Sequence, residues 1–149
     1  GNITTQGGTG QSTTGAGVGG TAGAVDITAG TNITLNGYIY AVTGPGYSTS
    51  GPTAQGNGAN VHLHGSTILG TDITINTTGA TAGEILFADT LNGTTDFADD
   101  LGLTAGNGNV TFTGAVGATN EYRGYYYKLR EGFRSVGIPY CEIFNRVIR

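Results

Sequence analysis

Two histidines share one face of a short predicted strand. His62 and His64 alternate with Val61 and Leu63 in the segment VHLHG, so both imidazoles lie on the face opposite the apolar pair. Two imidazoles on one strand face can supply two of the four ligands that zinc usually takes. The sequence identifies neither a third nor a fourth ligand. We therefore favour the alternative that His62 and His64 are solvent-facing polar residues.

An acidic segment is the second place where the residue types could bind a metal. Asp96, Asp99 and Asp100 lie in TTDFADDLG, with Asp89 a few residues earlier. Their carboxylates suit calcium, a hard cation that needs six or more oxygens. The glycine- and aspartate-spaced nonapeptide of calcium-binding repeats is missing from this segment. We favour a solvated acidic loop, and we expect no metal and no other cofactor.

No group of residues in the sequence predicts catalysis. Glycoside hydrolysis needs two carboxylates at a defined separation, and spacing along the chain places no such pair. The single cysteine, Cys141, lies far from the histidines, and neither a Ser-His-Asp nor a Cys-His arrangement is visible. We expect a protein that is not an enzyme.

The charge distribution argues against several partners. All six Lys and Arg residues lie at or after Arg123, whereas residues 1–120 carry seven acids. Nucleic acids and polyanionic sugars are bound by basic side chains, so neither class is expected to bind the first 120 residues. No apolar run is long enough to span a bilayer, so membrane insertion is not expected either.

The elements that must position these side chains are repeated. The segment ILFADTLNGT (85–94) returns twenty-five residues later as VTFTGAVGAT (110–119), and VDITAGTNITLNG (25–37) aligns with LGLTAGNGNVTFTG (101–114) when one insertion is allowed. A period in the twenties is typical of a solenoid, in which each unit buries its apolar face against the next. Apolar pairs that flank one small or polar residue predict the strands, namely Val25/Ile27, Ile33/Leu35, Val61/Leu63, Ile73/Ile75, Ile85/Phe87, Leu101/Leu103 and Val110/Phe112.

Glycines follow several of these strands and predict corners. Gly37, Gly65 and Gly114 come directly after ITLN, VHLH and VTFT, where glycine lets the backbone turn. A strand, a glycine corner and a further strand describe one coil of a β-solenoid, whose successive coils pair in parallel about 4.8 Å apart. The predicted fold class is all-β.

The composition divides the chain into three parts. Residues 1–24, almost entirely small and polar, predict a Gly/Thr-rich linker or an irregular first coil. Residues 25–120 are the predicted repeats, with a loop at 41–60. Residues 121–149 form an atypical basic, Tyr-rich tail that does not repeat.

The repeats resemble those of large bacterial surface and secreted adhesins of the filamentous haemagglutinin and autotransporter type. The resemblance is carried by DITAGTNITLNG (26–37), NGTT (92–95) and DLGLTAGNGNVTFTGAVGAT (100–119), and covers roughly residues 25–120. It implies a right-handed parallel β-helix, export to the extracellular medium or the bacterial cell surface, and a stalk or adhesive role. Host or surface glycans and proteins are the partners that such a role implies.

The tail has two explanations. It could cap the open strand edge of the last coil, which otherwise invites end-to-end or edge self-association. It could also be a frameshifted reading of repeat DNA, because the codons of Tyr125, Tyr126, Tyr127 and Lys128, read one nucleotide later, encode only Thr or Ile in three successive positions. Sequencing the gene would distinguish the two.

Three classes of function remain open. The first is a structural stalk or adhesive segment without catalysis. The second is a ligand-binding solenoid for ice or glycans, suggested by threonines on strands such as Thr111 and Thr113. The third is a fragment of a carbohydrate-active β-helix enzyme, for which Tyr38, Tyr40 and Tyr47 are the only candidate aromatic platforms.

Overall fold

The protein is all-β, with parallel strands arranged in two sheets. A computed structural model describes residues 1–11, 17–46, 54–95, 98–117 and 124–129, the last range for its backbone alone. These residues contain no helix, and hence no helix long and apolar enough to cross a membrane. The strands are β1 Ile3–Thr4, β2 Val25–Leu35, β3 Ile39–Tyr40, β4 Val61–Leu69, β5 Ile73–Asn76, β6 Ile85–Phe87, β7 Leu91–Gly93, β8 Asp100–Gly106, β9 Val110–Phe112 and β10 Gly124–Leu129.

Successive strands alternate between the two sheets, except that β6 and β7 both belong to the second. The first sheet has the order β1-β3-β5-β8-β10, and the second has the order β2-β4-β6-β9, with β7 also paired to β4. Every pairing within the two sheets is parallel. The predicted all-β class and the predicted parallel pairing are therefore confirmed.

One of the two pairs of repeated segments follows the strand register. Ile85 of β6 pairs with Val110 of β9, twenty-five residues later. This is the register that the similarity between residues 85–94 and 110–119 predicts. The similarity between residues 25–37 and 101–114 does not follow the register, because β2 lies in the second sheet and β8 in the first. Strands of both sheets bury alternate residues, so alternation alone does not assign a strand to its sheet.

The core consists of columns of apolar side chains from successive strands. In the second sheet Val25, Val61, Ile85 and Val110 occupy one register position and are all buried. The neighbouring column ends in Phe87 and Phe112, whose rings stack with centroids 5.0 Å apart and planes 12° apart. Because like residues stack on like, each inward position of one strand packs against the same position of the next.

A bulge divides β2 into two halves. Thr28 pairs with His64 and Asn32 pairs with Ser66, so residues 29–31 lie opposite Gly65 alone. The extra residues of β2 bend the strand at this point, as bulges generally do. The strand β4 continues through Gly65, so the corner predicted there is not the end of a strand, and the irregularity at this position lies in β2.

The first and the last described strands both belong to the first sheet. Ile3 and Thr4 pair with Ile39 and Tyr40, and the Gly7 N–H donates to the Val42 carbonyl at 3.1 Å. The backbone of β10 pairs with β8. The rest of the tail, and residues 47–53 of the predicted loop at 41–60, lie outside the described residues, so the three-part division of the chain remains a prediction.

Candidate metal centre

The register of the second sheet brings both histidines next to an aspartate. Asp26 of β2 pairs with His62 of β4, and Thr28 pairs with His64. Val61 and Leu63 point inward and are completely buried, so the alternation of the strand places both imidazoles on its outer face. Asp26 alternates in the same way after Val25, and its side chain shares that outer face.

The two imidazoles each approach a carboxylate. His62 Nε2 lies 2.8 Å from Glu84 Oε1, and His64 Nε2 lies 3.6 Å from Asp26 Oδ1. The two rings meet edge to face, with centroids 5.9 Å apart and planes 87° apart. One ligand atom from each of Asp26, His62 and His64 lies within 4.8 Å of the other two. The outer face of the second sheet thus gathers two nitrogen and two oxygen donors.

Backbone hydrogen bonds hold Glu84 beside His62. The Glu84 N–H donates to Asn60 Oδ1 at 3.0 Å, and the Glu84 carbonyl accepts from the Val61 N–H at 2.9 Å. Glu84 directly precedes β6, so its backbone is fixed at the position where that strand joins β4. The backbone of Glu84 is therefore held next to β4, and its carboxylate contacts His62 from there.

The cluster is partly open to solvent. The side chains of His62 and His64 are 23% and 40% exposed, and those of Glu84 and Asp26 are 41% and 62% exposed. Side-chain contacts this exposed contribute little to stability, about 0–1 kcal/mol even where both partners are charged. The arrangement leaves a path by which a small ion can reach the donors from solvent.

The acidic segment is built differently. Asp99 is buried, and its Oδ2 accepts from both the Thr94 N–H at 3.2 Å and the Thr94 hydroxyl at 3.1 Å. Asp100 starts β8, its N–H donates to Asp72 Oδ1 at 2.8 Å, and its own Oδ1 is buried without a hydrogen-bond partner. Asp96 lies outside the described residues. Within the part of the chain that is described, neither Asp99 nor Asp100 belongs to a trio of close ligand atoms.

Sequence reasoning found the two histidines but not their carboxylate neighbours. Asp26 and Glu84 lie 36 and 22 residues from His62 along the chain, and only the strand register brings them together. A signal was present, because superimposing the apolar pair Val25/Ile27 on Val61/Leu63 places Asp26 opposite His62. That superposition requires knowing that β2 and β4 are neighbours.

Two tyrosines stack on the first sheet. Tyr38 and Tyr40 flank the buried Ile39, and their ring centroids lie 4.4 Å apart with planes 30° apart. Tyr38 is among the exposed large side chains of the described residues. Tyr47, the third candidate platform, lies outside the described residues.

The chain was compared with protein-family models, with curated proteins and with solved structures, and none of them matches it.

Proposed function

We propose that this chain is a segment of a right-handed parallel β-helix that acts as a non-catalytic stalk or adhesive spacer in a bacterial cell-surface or secreted repeat protein. The observation that carries the proposal is the alternation of successive strands between two parallel sheets. A chain that returns to each sheet one strand further along adds a new layer with every return. Scaffolds of this kind are lengthened by repetition, which suits a spacer.

The side chains of the described residues support a scaffold better than an active site. The buried residues are almost all aliphatic or aromatic, and the few buried polar ones, Thr67, Thr77 and Asp99, hydrogen-bond within the fold. The donors on the second sheet are His and carboxylate side chains on a rigid strand face, with no nucleophile among them. These features favour a structural scaffold over an enzyme.

Glycan binding is a second candidate, favoured by the Tyr38–Tyr40 pair. Exposed aromatic rings offer an apolar face on which a sugar ring can pack, with a hydroxyl for hydrogen bonding. Ice binding has less support, because one outward column of the second sheet combines Asp26, His62, Leu86 and Thr111. A flat array for ice would need threonine at each of these positions.

Assays for sugar release, ice binding and glycan binding on the purified 149-residue chain test the proposal. The chain is incubated with a panel of neutral and acidic polysaccharides, and we expect no new reducing sugar ends. We also expect no thermal hysteresis, that is, no gap between the freezing and melting points of its solution. Release of sugar ends would overturn the non-catalytic assignment. Retention on a glycan array that is lost in Tyr38→Ala but kept in Thr34→Ala would replace the spacer by the glycan-binding candidate.

A further inference from the structure

We propose that Asp26, His62, His64 and Glu84 bind a single divalent transition-metal ion of the zinc class on the outer face of the second sheet. The inference rests on the distances and charges of these four side chains. It does not depend on the stalk function, because the same site could exist in a glycan-binding solenoid.

Three of the donors, one atom each from Asp26, His62 and His64, lie within 4.8 Å of one another, and Glu84 lies beside His62. An ion 2.0–2.1 Å from each ligand keeps neighbouring ligand atoms about 3.3 Å apart. The observed contacts, 2.8 Å between His62 and Glu84 and 3.6 Å between His64 and Asp26, lie on either side of that value. Side chains exposed to this extent can rotate toward an ion.

The donor set selects the class of metal. Imidazole nitrogens suit zinc, nickel and copper, whereas calcium and magnesium prefer shells made wholly of oxygen. Two histidines with two carboxylates therefore favour zinc-like ions over the alkaline-earth ions. The acidic segment at Asp99 and Asp100 lacks nitrogen donors, so it does not offer a zinc-like ion the same ligand set.

Local charge favours a dication. Asp26 and Glu84 supply two negative charges at neutral pH, and the first 122 residues contain neither Lys nor Arg. No basic side chain from this part of the chain competes with the ion for the carboxylates. A dication bound between them leaves the centre without net charge.

The site would connect three separate strands of the second sheet. Its ligands come from β2, from β4 and from the residue before β6, and these segments meet only in the folded protein. An ion that binds the folded chain more tightly than the unfolded chain stabilises it by mass action. At a hundredfold excess over Kd this corresponds to a rise in Tm of about 5–10 °C for a chain of this size.

Zinc titration of the 149-residue chain tests the inference. The experiment uses a Cys141→Ser background, so that the single thiol does not contribute. We expect one equivalent of ZnCl2 to bind by calorimetry and the Tm to rise, with reversal by EDTA and no comparable rise with CaCl2. Since loss of a group that only hydrogen-bonds to a metal ligand costs about 10–100-fold in metal affinity, His62→Gln or His64→Gln should lower the zinc affinity by at least about tenfold.

Asp72→Asn is the matched control for Glu84→Gln. Both remove one negative charge from an acid directly before a strand, but Asp72 precedes β5 of the first sheet. The control should bind zinc like the parent, whereas Glu84→Gln should bind it more weakly. Visible absorption of bound Co²⁺ gives a readout that does not depend on stability, and it should change in His64→Gln. Three results would overturn the inference. They are zinc binding that does not saturate, equal zinc affinity in the parent and both histidine variants, and a rise in Tm with CaCl2 as large as that with ZnCl2.

Discussion

Two threonines show how single polar residues are accommodated inside the apolar columns. Thr67 lies in the column between Ile33 and Leu91 and is fully buried, and its hydroxyl donates to the Gly65 carbonyl at 3.2 Å. Thr77 is also fully buried, and its hydroxyl donates to the Gly83 carbonyl at 2.7 Å. Each hydroxyl is therefore satisfied by a nearby backbone group, which removes most of the penalty for burying it.

Replacing Thr77 by valine should destabilise the protein although the shape of the side chain is kept. The change removes the donor to Gly83, and a buried polar group left without its partner costs about 1–3 kcal/mol. Urea unfolding followed by circular dichroism measures the difference. Thr34→Val, on an exposed position of β2, is the control and should change the free energy of unfolding by less than about 0.5 kcal/mol. Equal effects of the two changes would contradict this account.

The sequence identifies two of the four residues of the candidate metal centre. His62 and His64 are identified by their alternation with Val61 and Leu63, because that pattern is local. Asp26 and Glu84 were not, because their proximity depends on which strands are neighbours and in what register. The two hydrogen bonds from Thr94 to Asp99 join residues only five apart, and they depend on the local conformation of the connection, which the residue types do not determine.

At the level of the elements, alternation in the sequence predicts burial well. The paired apolar residues expected to point inward are buried in β4, β5, β6, β8 and β9, and in β2 only Ile27 is left half-buried. The pattern succeeds because one face of every strand meets the core. It does not assign strands to sheets, since strands of both sheets show the same alternation. For that reason the similar segments 25–37 and 101–114 align in sequence although β2 and β8 lie in different sheets.

Glycines in the connections allow neighbouring backbones to approach closely. A Cβ atom at Gly83 would overlap the backbone carbonyl of Ala59, which belongs to the connection before β4. A Cβ atom at Gly30, in the bulge of β2, would meet nothing within 4 Å. The two glycines therefore differ in the reason for their presence, although the sequence does not distinguish them.

Gly83→Ala and Gly30→Ala should have opposite effects on stability. Because backbone atoms at Ala59 cannot move aside cheaply, Gly83→Ala should destabilise by about 1–3 kcal/mol or more, as overpacking does. Gly30→Ala should be neutral or stabilise by up to about 1 kcal/mol, because alanine lowers the entropy of the unfolded chain. Paired denaturant titrations measure both values. A Gly83→Ala protein as stable as the parent would refute the close approach of these two connections.

For the whole molecule, the pairing scheme implies that each strand depends chiefly on its immediate neighbours. In the second sheet β4 pairs with β2, β6 and β7, whereas β2 and β9 pair only with β4 and β6 respectively. Stability in such an arrangement is approximately a sum of local units and the interfaces between them. Loss of an outer strand should therefore leave the inner ones folded, in contrast to a sandwich with one shared core.

Mechanical unfolding of the full chain tests this architecture. When the chain is pulled from its two ends, a stack of layers should open in several steps, each releasing the residues between successive partners. Val61 and Ile85 are 24 residues apart, and Val25 and Val61 are 36 apart, so the steps should lengthen the chain by about 80 Å and about 120 Å respectively. Optical tweezers resolve such increments. A single step of about 500 Å, the extended length of the whole chain, would indicate one cooperative core and would argue against a layered solenoid.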